Sequence, residues 1–186
     1  MVTAYPPQQI HKFAFFNGQE LQFFTEYNTG MAVFAMSDLG PEVLFQDISA
    51  LGLVPDLSQD KIHEHLLRTS INSIVTLGQG HDYNVGVFDL PTTLISGFRI
   101  MLISFRLSNP VAKDPRLKKG YYQIALFVPK TLLQFLPAYV FFEKELVDLT
   151  TSLTSSGQFH AKKFKLLKTE ILRTLNSYCR SPESIY

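Results

Sequence analysis

A chain of 186 residues, 46% of them hydrophobic, with 16 Phe, 8 Tyr and no Trp, has ample apolar mass for one packed core, which excludes wholesale disorder. With 17 basic against 16 acidic residues the formal charge is +1, so no overall field draws the chain onto nucleic acid. The single Cys179 excludes an intramolecular disulfide and an all-cysteine metal site, and it suits a reducing, cytoplasmic setting.

Residues 1–10 read as an extended lead-in containing Pro6-Pro7, without the charged-then-apolar order of a signal peptide. Residues 11–28 then place two aromatic runs around Asn17-Gly18, the strongest short hairpin signal. A two-residue Asn-Gly turn sets Phe15 opposite Glu20. A four-residue loop pairs Phe16 with Leu21, Ala14 with Phe23 and Phe13 with Phe24, and this second register is preferred because it groups apolar residues on common faces.

A second hairpin follows: Met31 to Ser37, a connection Asp38-Leu39-Gly40 with Gly40 in a left-handed conformation, and a returning strand Glu42 to Gln46. Pro41 cannot donate to a ladder, so it belongs at the start of an edge strand. From Ser58, a candidate N-cap, Ile62, Leu66, Ile71 and Ile74 recur at helical spacing with Leu67, Ser70 and Val75 beside them. "DYNVGVFDL", "GFRIMLISFRL" and "GYYQIALFV" read as three strands. "LLQFLPAYVFF" is interrupted by Gln134 and Pro137 and is shorter than the ~20 residues of a membrane span. Pro137 suits a first helical position, which predicts a helix from about Pro137 to Leu153 that is apolar all round near Tyr139 to Phe142. A last helix carries Phe164, Leu167, Ile171, Leu175 and Tyr178 on one stripe, and residues 181–186 form a tail. Strands apolar on both faces, "MAVFAM", "IMLISF" and "IALFV", belong at the centre of one sheet; "EVLFQ" and "NVGVFDL" belong at its edges. The first helix is expected on one face and the last two on the other.

Motifs with chemistry are few. His63 and His65 lie two apart on a helix and therefore point in different directions, so they do not share a metal ion. "TLGQGHDYN" runs from helix to strand, the reverse of a phosphate-binding loop, and reads as a helix stop. Cys179, near the end of an amphipathic helix, reads as a small hydrophobe. No metal or cofactor is expected. Two basic segments remain: the loop with Lys118 and Lys119, and the helix face with Lys162, Lys163, Lys165 and Lys168, taken to lie opposite the apolar stripe. Either is a solvated face or a contact for an acidic partner or an anionic membrane surface, each lysine there contributing on the order of 1 kcal/mol. The aromatics belong to the core and do not interleave with lysines, which argues against nucleic acid.

The order hairpin, helix, three strands, two helices over residues 30–180, with the turn Leu39-Gly40-Pro41 and the passage "YYQIALFVPKTLLQFLPAYVFFEKEL", resembles a longin domain. The passage resembles longin-like domains of DENN-type vesicle-trafficking regulators, and similar arrangements occur in archaeal longin-like proteins. The resemblance implies an α+β fold: a five-stranded, mainly antiparallel sheet sandwiched between one helix and two C-terminal helices. The 11–28 hairpin is additional to that plan. It implies a non-catalytic module, cytoplasmic or peripheral to membranes, that binds a small GTPase or another longin or roadblock-type protein as a homo- or heterodimer. Candidate interface residues are Pro41, Val43 and Phe45 on the edge strand and Tyr139, Phe141 and Phe142 on the apolar segment. The alternative is a small-ligand-binding protein or enzyme on an antiparallel α+β scaffold, with His81, Asp82, Asp89 and Arg99 converging.

Overall fold

A computed structural model describes residues 15–16, 19–20, 23–48, 58–77, 84–91, 97–108, 110–111, 113, 118, 120–154 and 161–179. Its centre is a five-stranded antiparallel sheet made of β3 (Gly30–Ser37), β4 (Gly40–Asp47), β5 (Gly86–Pro91), β6 (Phe98–Arg106) and β7 (Tyr121–Pro129), in the order β4-β3-β7-β6-β5. The two-sided apolar strands β3, β7 and β6 are central, and β4 and β5 are the edges, as expected from their polarity. Each central strand buries both of its faces. Ile124, Leu126 and Val128 of β7 enter one cluster, and Ala125 and Phe127 enter the other.

Helix α1 (Gln59–Leu77) covers one face with Ile62, Leu66 and Leu77. Ser58 starts it as expected: the Lys61 N–H donates to Ser58 Oγ at 3.3 Å, satisfying one of the orphan donors of the first turn. At the other end both the backbone N–H and the side-chain amide of Asn84 donate to the Leu77 carbonyl. Helices α3 (Glu143–Thr154) and α4 (Ala161–Tyr178) cover the opposite face, where Phe142, Leu146, Phe164, Leu167, Ile171 and Leu175 are buried. The α4 stripe is the one predicted from its spacing.

The β3–β4 hairpin closes through two residues, Asp38 and Leu39, with Ser37 opposite Gly40, one residue shorter than expected. Gly40 takes φ 115°, a conformation that disfavours a side chain. A bulge in the register between Val33 and Phe34 leaves Leu44 unpaired on β4. It lets neighbours Leu44 and Phe45 both pack toward α4 while Val43 packs toward α1.

Two expectations are corrected. Short strands β1 (Phe15–Phe16) and β2 (Gln19–Glu20) pair with Phe15 opposite Glu20, the two-residue-turn register and not the four-residue loop. Phe23 and Phe24 are not strand residues. Asn176 Oδ1 accepts from both of their N–H groups at 3.0 and 2.9 Å, Asn176 Nδ2 donates to the Phe24 carbonyl at 2.8 Å, and the Phe24 ring enters the core. Burial under α4 outweighs cross-strand matching there. Residues 13 and 14, on which the preferred register also rested, lie outside the described residues.

The second correction concerns the helix expected from Pro137. A short α2 (Lys130–Leu133) is followed by buried Pro137, a 3-10 turn at Tyr139–Phe141, and only then α3. Ala138, at ψ 143°, is extended and stops helical hydrogen bonding from continuing back through Pro137.

Candidate protein-interaction surface

The 3-10 turn decides which residues of "AYVFF" are available. With three residues per turn, side chains three apart eclipse, so Tyr139 and Phe142 share one side. That side faces inward: Phe142 is fully buried, its ring 5.6 Å from those of both Tyr139 and Tyr178. Phe142 is therefore a core residue and offers nothing to a partner, contrary to expectation. Val140 and Phe141 are turned out and are 74% and 60% exposed. Burial, reinforced by the Asp89 carboxylate, pushes the Tyr139 phenol up to about 12, so it stays neutral at physiological pH.

Val140 forms one wall of a cleft of ≈ 250 Å³ between the edge strand β5 and α3, with Val85, Gly86 and Val147 beside it and Glu143, Lys144 and Asp148 at the rim. Lys144 and Asp148 form an ion pair along α3. The Val87 N–H donates to Glu143 Oε1 at 3.4 Å, so the carboxylate covers an outward donor of β5. Gly86 takes φ 149°, a conformation that disfavours a side chain, and a Cβ there would also displace the Glu143 carboxylate, 2.2 Å away. Val85, 44% exposed, extends the apolar surface across the cleft.

The edge strand β4 presents less than expected. Pro41, Val43 and Phe45 are each half-buried. Val43 packs with the α1-side core, and the Phe45 ring lies 5.2 Å from that of Phe164 on α4. Both faces of this edge are thus occupied by the protein's own helices.

Of the basic candidates, Lys118, Lys162 and Lys165 are exposed and Lys163 is half-buried; Lys119 lies outside the described residues. Lys168 is corrected outright. It is 1% exposed, with Nζ 3.1 Å from Asp47 Oδ2 and 3.4 Å from the Glu26 carbonyl. Spacing alone carried this signal, because Lys168 lies four residues after Phe164 and three before Ile171, on the apolar row itself.

Asp89 and Arg99, proposed for a convergent polar site, do meet: they form a two-pronged ion pair between β5 and β6. His81 and Asp82 lie outside the described residues. His63 is exposed and His65 buried, so the two imidazoles do diverge. Among the described residues no three potential ligand side chains gather for a metal ion, and no helix is long and apolar enough to cross a membrane. Burial pushes the Cys179 thiol up to about 12, leaving it a poor nucleophile at neutral pH.

Sequence reasoning does not single out Val85, or Ile71 and Val75 on α1, among the exposed large apolar residues, which also include Tyr27, Leu39, Val111 and Leu166. Helical spacing sets Ile71 on the expected stripe, with Val75 beside it. Compared with known proteins, the chain matches no family, no curated protein and no solved structure.

Proposed function

We propose that the chain is a non-catalytic interaction module of longin type, a platform in the cytoplasm or peripheral to membranes, that engages a small GTPase or another longin or roadblock-type protein as a homo- or heterodimer. The observation that carries the reading is the outward pair Val140 and Phe141, continued by Val85 across the cleft beside the β5 edge. Fully burying an aliphatic or aromatic side chain of this size contributes about 1.5–3 kcal/mol, so these residues are the apolar contacts a partner would gain most by covering. The element order also supports it: hairpin, helix, three-strand meander and two closing helices around one antiparallel sheet, the plan attributed above to longin domains.

The test is capture of the host's small GTPases in both nucleotide states by the intact protein, together with light scattering. The reading predicts a retained GTPase or a dimer, weakened by Val140→Asp or Phe141→Asp at unchanged helix content. A strictly monomeric protein that retains no GTPase in either state sinks it.

A further inference from the structure

Helix α1 carries apolar residues along two directions. At 100° per residue, Ile62, Leu66, Ile74 and Leu77 lie within about 80° of Ser70, whereas Ile71 and Val75 lie about 100° and 140° round from it. A straight helix on a sheet cannot bury both rows. The observed seat buries Ser70 and Ser73, at 0% and 1% exposure, and leaves Ile71 and Val75 outside at 41% and 66%. The same seat buries Ile62, Leu66, Ile74 and Leu77, and it also buries Ser70 Oγ with no hydrogen-bond partner among the described residues, a polar cost that the apolar burial has to offset.

A polar chain under the helix adds a directional contact to that burial. Ser73 Oγ donates to Gln123 Oε1 at 2.5 Å, Gln123 Nε2 donates to the Tyr121 hydroxyl at 3.1 Å, and that hydroxyl donates to Ser104 Oγ at 3.3 Å. All four side chains are buried, three of them on the central strands β6 and β7. Gln123 lies in the middle of the sheet, between Phe34 of β3 and Ser104 of β6, and is fully buried under the helix. In so dry a place an unmatched amide is costly, which makes a directional contact more selective than apolar packing.

We propose that the Ser73–Gln123 contact, backed by Tyr121 and Ser104, is a rotational pin that holds α1 with its Ile71–Val75 row outward. The pin fixes which α1 face the molecule shows, together with the burial of Ile62, Leu66, Ile74 and Leu77. It acts whether or not the interaction reading above holds.

The experiment places a thiol by Val75→Cys in a Cys179→Ser background and measures its alkylation rate under native conditions. Adding Gln123→Met, which keeps the side-chain length but removes the acceptor, frees α1 to turn its apolar row inward. The expected result is a fall of about fivefold or more in alkylation rate at unchanged far-UV helix content, because the site then reacts mainly through local opening. An unchanged rate overturns the pin, and so does a faster one, which would mean that α1 frays without rotating. Should Gln123→Met fail to fold, Ser73→Ala removes the contact from the helix side and is judged by the same criterion.

Discussion

The Lys168–Asp47 pair allows a prediction whose sign depends on which partner is removed. Lys168 is 1% exposed, whereas the Asp47 side chain at the end of β4 keeps 26% of its surface in water. Asp47→Ala leaves a fully buried ammonium with the Glu26 carbonyl at 3.4 Å, and breaking a buried pair in this way costs about 3–5 kcal/mol. Lys168→Met keeps most of the stem's packing, and the remaining carboxylate rehydrates through its open quarter, so the cost is about 1–2 kcal/mol. The double variant Asp47→Ala/Lys168→Met should be more stable than Asp47→Ala alone, since no buried charge is then left over. Urea unfolding followed by far-UV circular dichroism reads each midpoint, with unchanged m-values as the check on two-state behaviour. Equal costs within about 0.5 kcal/mol, or a larger cost for Lys168→Met, would refute the reasoning and mean that the ammonium already reaches water.

Asn176→Ala removes three hydrogen bonds to the Phe23–Phe24 backbone and should cost about 2–3 kcal/mol, with faster hydrogen exchange at the Phe24 amide as the local sign. Gly120 has φ 54°, and a Cβ there would stand 1.7 Å from the Leu107 carbonyl oxygen. Gly120→Ala should therefore cost more than about 2 kcal/mol in thermal or urea unfolding, and a near-neutral result would contradict the geometry. Burial, then the nearby Arg68 charge, lower the His65 pKa below its ordinary 6.5. The unfolded chain thus binds the extra proton first, and stability present above about pH 6.5 is lost as pH falls below it, with a slope of at most ~1.4 kcal/mol per pH unit. A urea midpoint followed from pH 8 to pH 5 should show that slope in the native protein and lose it in His65→Gln.

Several features were legible because they are local. The β3–β4 reversal follows from Gly40 and Pro41, the α1 start from Ser58, and the α4 stripe from the spacing of Phe164, Leu167, Ile171 and Leu175. The placing of β3, β6 and β7 inside and β4 and β5 outside followed from strand polarity, since only a doubly covered strand can afford two apolar faces. The failures share a cause. Phe23 and Phe24 join no strand ladder because Asn176, 153 and 152 residues away in sequence, captures their backbone N–H groups. The candidate surface was only half visible: "AYVFF" was recognised as apolar, but its division into inward Tyr139 and Phe142 and outward Val140 and Phe141 depends on a 3-10 turn.

The order of the five sheet strands with α1, α3 and α4, and the layering of one sheet between helices, are legible in the sequence, because periodicity and turn chemistry act over a few residues; α2 and the 3-10 turn at Tyr139–Phe141 are not. Tertiary structure decided the rest: that Lys168 is buried against Asp47, that α1 turns Ser70 and Ser73 inward and Ile71 and Val75 outward, and that Phe142 belongs to the core. Spacing tells which residues share a face. Where that face points, and whether a polar group on it finds a partner, depends on side chains brought close from distant parts of the chain.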